Sequence, residues 1–293
     1  MRAGRGMSRL SRLATPRRPE HAILGSPGRD TAVTAAVLAL TAVVFALVAD
    51  HGVLAHIQRV DDAWLRLMVS GRSAPLTVIA KFFNLLGLVY VTLPVRIAIA
   101  GYLALRRRWW HMAAFVSAVV LSEVLIGTLK NVYDRTRPPG SLVATSGASF
   151  PSGHAIAASV TVVAAVIALV PPGRRRVAWG TAALGFSILM AASRAYLAAH
   201  WLSDAIAGIL LGTSCALLAA VGFSILMAAS RAYLAAHWLS DAIAGILLGT
   251  SCALLAAVVV DGLQRRWQAR RASGAPDPAR AHLPDPARRA DGP

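Results

Sequence analysis

Residues 205–229 read AIAGILLGTSCALLAAVGFSILMAA, twenty-five consecutive positions without a charge. As a helix rising about 1.5 Å per residue, this stretch is about 38 Å long. That suffices for one tilted crossing of a hydrocarbon layer about 30 Å thick and is too short for two. Further apolar runs lie at about 32–49, 77–105, 112–129, 155–170, 177–192 and 242–260. The pattern predicts an all-α integral membrane bundle of six ancestral crossings, with an added seventh at 242–260. Composition agrees: 56% of the 293 residues are hydrophobic and 15% are charged, against about 25% charged in soluble domains. A water-soluble globule and a largely disordered chain are both excluded.

The net charge of +17 raises the question of nucleic acid, but the arginines are clustered rather than spread along a groove. Seven lie in residues 1–30, seven in 261–293, and two triplets stand at Arg106–Arg108 and Arg174–Arg176. Long uncharged segments separate them, as in a multi-pass membrane protein, so no nucleic-acid partner is expected. With the N-terminal tail inside, alternate crossings put both triplets inside. Segments 51–75, 130–154 and 193–204 then face outside. Residues 1–30 and 261–293 are expected as basic disordered tails around a membrane domain at 31–260, the second tail being Pro-rich. A signal-peptide cut after Ala49 would place Leu47 at the −3 position, so the first run is expected to be an uncleaved anchor. Residues 51–75 mix Ile57, Val60, Trp64 and Leu65 with Arg59, Asp61 and Arg66, the pattern of an interfacial amphipathic helix.

Residues 185–221 recur unchanged at 222–258. An identity so complete is a recent tandem duplication or an assembly error laid over the six-helix design, not a solenoid. Cys215 and Cys252 are the two copies of one position in an apolar run, and no disulfide framework or zinc pattern is available.

Polar groups gather at the outer ends of three runs. Lys130-Asn-Val-Tyr-Asp-Arg-Thr-Arg137-Pro138 ends one of them. Alone, Lys130 reads equally as a snorkelling cation. Pro151-Ser152-Gly153-His154 opens another, where helix-end amides favour an anion and Gly153 permits its close approach; alone, Ser152 reads as an ordinary helix cap. In Ser193-Arg194-x5-His200-x3-Asp204, the histidine and carboxylate share a helical face. A carboxylate on one imidazole nitrogen leaves the other bare and aimed, which suits a nucleophile. By the charge count all three clusters lie on one membrane face, and three cations with helix-end amides make a phosphate cradle.

Together these motifs resemble the three-part signature of the type 2 phosphatidic acid phosphatase superfamily, which the vanadium haloperoxidases share. The similarity spans about residues 30–225. It implies a membrane lipid-phosphate phosphatase in which His200 is the nucleophile, forming a phosphohistidine, and Asp204 orients it. His154 would protonate the leaving oxygen and then activate water. Lys130, Arg137, Ser152, Gly153 and Arg194 would hold the phosphoryl oxygens. The implied partners are the bilayer and a lipid phosphate: phosphatidic acid, phosphatidylglycerol phosphate or an isoprenoid diphosphate such as undecaprenyl diphosphate. No metal or other cofactor is implied, and the oligomeric state is left open. A cell-membrane location with an extracytoplasmic site follows from the charge map. Alternatives are a haloperoxidase-like enzyme and an inactive lipid-binding or transport protein. The duplicate supplies a second set, Ser230, Arg231, His237 and Asp241, of which only one copy can complete the site; the first copy is expected to do so.

Arg96 and Glu123 lie inside apolar runs at similar depths, where charge is expensive. They are expected to form a buried structural pair.

Overall fold

Each apolar run between residues 22 and 233, the residues that this computed structural model describes, folds as α-helix, and no strand occurs among them. In chain order the helices are α1 (Pro27–Ala49), α2 (His51–Ser70), α3 (Ala74–Leu86), α4 (Val89–Leu105), α5 (Trp109–Tyr133), α6 (Gly153–Leu169), α7 (Arg174–Tyr196) and α8 (Leu202–Tyr233). Pro27–Ala49, Trp109–Tyr133 and Leu202–Ser230 are long and apolar enough to cross a membrane. A fourth span is made if α3 and α4 count as one, bent by 51°. Helix α6 is apolar but only 17 residues long, and α7 opens on Arg174–Arg176.

Three sequence expectations change. The run 77–105 is broken: α3 stops at Leu86 and α4 starts at Val89. Helix α1 begins at Pro27, and Ile23 before it is 1% exposed, so order starts inside the stretch assigned to the basic tail. Asp50 caps α2 through the amides of Gly52 and Val53, but Asp61 on that helix is buried, not part of a wetted polar face. The run 242–260 lies outside the described residues.

Helix α6 is the centre of the bundle, and α8 lies against it so closely that side chains are excluded at the crossing. A Cβ on Gly212 would overlap Ser159, and one on Gly208 would stand 2.8 Å from both Ala155 Cβ and the Ser152 carbonyl oxygen. Small residues at this four-residue spacing let two membrane helices meet backbone to backbone. Thr41 on α1 and Ser214 on α8 share a buried hydrogen bond of 2.8 Å.

The bundle has two chemically distinct ends. At one, Ile23, Leu24, Trp110, Ala114, Ile167, Ala220 and Phe223 form a single cluster. There Arg176 donates to the carbonyls of Ile23, Val170 and Ile167. The other end holds the C-terminus of α5, the N-termini of α6 and α8, the α3–α4 break and α2. Phe45, Tyr133 and Phe150 meet there edge to face or tilted, and the Tyr133 hydroxyl donates to the Phe45 carbonyl at 2.9 Å.

Candidate active site

Three chain segments converge at this second end: residues 130–154 from the last turn of α5 to the start of α6, the turn 197–201 between α7 and α8, and the α3–α4 break. Helix α5 ends at Asp134 in the left-handed region, φ 38°, which turns the chain so that Arg135 and Arg137 point back into the bundle. Ala198, also left-handed at φ 53°, carries the tight turn that presents His200. For a residue other than glycine this conformation costs about 1–2 kcal/mol.

His200 is 3% exposed. Its Nδ1 lies 2.7 Å from the carbonyl oxygen of Ser149, and a carbonyl oxygen can only accept. Nδ1 therefore carries the proton and Nε2 is bare, in keeping with the Arg137 guanidinium N–H 3.2 Å from Nε2. The expected partner, Asp204, stands further off: its Oδ2 is 3.7 Å from Nδ1, too long for a hydrogen bond. Asp204 instead accepts from the Ser149 hydroxyl at 2.5 Å and the Trp201 amide at 2.9 Å. It thus holds the turn and Ser149, and touches the imidazole only as a nearby charge. Burial draws the His200 pKa down to about 4; Asp204 opposes this, and Arg194 and Arg137 add to it. The ring is neutral at pH 7.

The other expected residues lie around it. Lys130 Nζ donates to the Ala148 carbonyl at 2.6 Å. Arg137 shares that acceptor and directs its remaining donors to the carbonyls of Ser146, Gly147 and Ala199. Its guanidinium thus both lines the site and fastens the 146–148 loop. Ser152 forms no cap on α6; its hydroxyl is buried without a protein partner, as are Nε2 of His154 and Nε of Arg194. A buried polar group left unpaired costs about 1–3 kcal/mol. Trp64 Nε1 and Arg72 Nε are unpartnered as well, but the three on Ser152, His154 and Arg194 lie near His200, where one polar ligand could pair them.

Several residues escaped the sequence reading. Asn84, in the last turn of α3, accepts from Arg194 and its backbone lies beside His154. Gly87 at the helix break abuts the His154 ring. Ser149 sets the tautomer of His200. Arg135, two positions before Arg137, joins Asp204 at 2.7 Å and Asp61 at 2.8 Å. Counting Lys130, Arg135, Arg137 and Arg194 against Asp61 and Asp204, with neutral histidines, the site carries a surplus of two positive charges. Among the described residues no group of three His, Cys, Asp or Glu side chains is placed to hold a metal ion.

Of the duplicate set, Ser230 lies near the far end of α8, 26 residues beyond Asp204, and Arg231 follows it in the same helix. His237 and Asp241 lie outside the described residues. The Arg96–Glu123 pair forms, at 2.7 Å, but only Arg96 is buried; the Glu123 side chain is 51% exposed. Both line a groove of about 570 Å³ between α4 and α5, which reaches Gly87 and Gly153 at the site and is otherwise walled by residues such as Leu93 and Phe115.

A family model described as the PAP2 superfamily matches residues 111–223 and 216–265. Among solved structures, the chain is similar to a transmembrane PAP2-type phosphatidylglycerolphosphate phosphatase from Bacillus subtilis. Identity is 24% and the TM-score 0.57, over 64% of this chain and 93% of that one. A second match, to Aquifex aeolicus LpxE, has 24% identity and a TM-score of 0.45, over 53% of this chain and 91% of that one. No curated protein matches the sequence.

Proposed function

The chain belongs to the PAP2 superfamily, and from that membership we propose that it is a membrane phosphatase releasing phosphate from a lipid phosphomonoester or diphosphate. The observation that carries the reading is the set of three buried, unpartnered polar atoms on Ser152, His154 and Arg194 beside a histidine with a bare Nε2. Fixed donors in a water-poor site stabilise a phosphoryl group as its charge redistributes.

The chemistry runs in two displacements. Nε2 of His200 attacks phosphorus, the P–N bond forms and the bond to the lipid oxygen breaks. The Arg137 N–H now on Nε2 shifts to a phosphoryl oxygen. His154, neutral in the empty site, accepts a proton from the bound phosphate monoanion, whose charge favours the protonated ring, and passes it to the leaving oxygen. The same ring then takes a proton from water, whose oxygen attacks phosphorus and expels His200. Lys130, Arg137, Arg194, Ser152 and the Gly153 amide hold the phosphoryl oxygens throughout. Side chains suffice for every step, so no metal or other cofactor is invoked.

The groove between α4 and α5 supports a lipid substrate, since it offers an apolar path from the site to the helix surface. Phosphatidic acid, phosphatidylglycerol phosphate and isoprenoid diphosphates all present the required group. Both arginine triplets lie away from the site, which with positive-inside orientation supports a site on the extracytoplasmic face of a cell membrane.

The test is phosphate release from each of the three lipids by the detergent-solubilised protein, with and without EDTA. Release that survives EDTA, is inhibited by orthovanadate and is lost in His200→Ala is expected. No release from any of them would overturn the reading; bromide oxidation with peroxide would favour haloperoxidase chemistry.

A further inference from the structure

Helix α2 reaches the site through one buried carboxylate. Asp61 is 2% exposed. Its Oδ1 accepts from the Ser203 amide at 2.9 Å, and its Oδ2 accepts from the Ser203 hydroxyl at 2.6 Å and from Arg135 at 2.8 Å. Arg135 is 9% exposed. One arm of its guanidinium serves Asp61 and Gln58 and the other serves Asp204 and Ser203, all within 2.8 Å. Two buried carboxylates thus share one guanidinium, and the cluster keeps one net negative charge. That charge lies against His200, with Asp204 Oδ2 3.7 Å from Nδ1.

Resting on the reading of His200 as nucleophile, we propose that Asp61 is a positioning residue: by sharing Arg135 it leaves Asp204 an uncancelled negative charge beside the imidazole. If Asp61 is neutralised, Arg135 and Asp204 cancel each other and His200 faces a neutral pair. The remaining charged or titratable groups around His200 are Lys130 of α5, Arg137 of the following loop, Arg194 of α7 and His154 of α6. The cations among them disfavour the positive charge that the ring acquires as its nitrogen bonds to phosphorus. The Asp61–Arg135–Asp204 cluster supplies the opposing charge, and Asp61 decides whether its sum is −1 or zero. The same contacts seat Ser203, in the first turn of α8, against α2.

The experiment compares kcat, KM and the pH profile of wild type, Asp61→Asn, Asp61→Glu and the double variant Asp61→Asn/Arg135→Gln, each checked for monodispersity in detergent. The substrate is whichever of the three lipid phosphates wild type turns over fastest. Asp61→Asn is expected to lower kcat roughly 10- to 100-fold, the scale of a misplaced catalytic group, with KM little changed and the acid limb moved to lower pH. Asp61→Glu keeps the charge and the wild-type limb. The double variant removes an opposite pair and restores the net charge of −1, so it recovers kcat relative to Asp61→Asn. This recovery stays readable if Asp61→Asn alone folds poorly, because neutral replacement of a buried ion pair is better tolerated than removal of one partner. A double variant no more active than Asp61→Asn, or an Asp61→Asn enzyme with wild-type kcat and acid limb, overturns the proposal while leaving the phosphatase reading intact. A wild type inactive on all three lipids overturns both.

Discussion

Gly87 stands against the imidazole of His154 with no room for a Cβ between them: one built on residue 87 would overlap Cδ2 and lie 3.0 Å from Cγ. The break between α3 and α4 is therefore shaped around a ring proposed to handle the proton of the leaving group. Gly87→Ala should turn that ring and lower kcat by tenfold or more, since errors of about 1 Å in placement cost up to about 100-fold. Gly101→Ala on the same pair of helices is the control, because a Cβ there meets nothing within 4 Å. Steady-state kinetics of both variants check the expectation; equal activities would contradict it.

The pKa of His200, held down to about 4 from the usual 6.5 by burial, fixes the sign of two pH effects. The proposed nucleophile stays neutral through pH 5, so the acid limb of kcat/KM due to this group should appear near pH 4. Stability behaves accordingly. Between about 4 and 6.5 the unfolded chain binds a proton at His200 that the folded one does not, so this contribution is whole above pH 6.5 and falls as pH drops toward 4. Thermal unfolding of wild type and His200→Ala at pH 7 and pH 5 should show a larger acid loss in wild type.

Helices and motif residues were legible because apolar runs and fixed spacings are local properties of the chain. Asn84 and Gly87 were hidden inside the run 77–105, where no charge or proline marks the break: Leu88 continues the apolar pattern and Pro94 lies beyond it. Asp61 looks in sequence like part of a polar stripe because its partners Arg135 and Ser203 are more than 70 residues away. Ser149 acts through a backbone carbonyl, which leaves no mark on side-chain chemistry, and it takes the place that the His200–Asp204 spacing had suggested for the carboxylate. Arg135 stood in plain view within the first motif, but its role follows only from the position of α2.

Arg96 and Glu123 join α4 to α5 at 2.7 Å, and Arg96 also donates to Thr161 and the Ala157 carbonyl of α6. Hydrogen bonds from a charged group contribute about 1.5–3 kcal/mol each. Arg96→Glu should therefore destabilise more than Glu123→Arg, which leaves the α6 contacts in place. The double exchange should recover the ion pair but not the bonds to Thr161 and Ala157. Unfolding temperatures in one detergent measure all three, and a double exchange no better than the worse single variant would show that the pair contributes nothing.

Helix length favours the first copy of the duplicated motif. Helix α8 starts beside the site at Leu202 and continues unbroken through Ser230, which at 1.5 Å per residue lies about 39 Å beyond Asp204. The second Ser-Arg pair therefore begins a full bilayer thickness away from Lys130 and His154. In the first copy, His200 already holds the Ser149 carbonyl at 2.7 Å. His200→Ala should abolish phosphate release, whereas His237→Ala should leave it within about twofold of wild type, a change of less than 0.5 kcal/mol in the barrier. Loss of activity in His237→Ala with retention in His200→Ala would mean that the second copy, not the first, threads into the site.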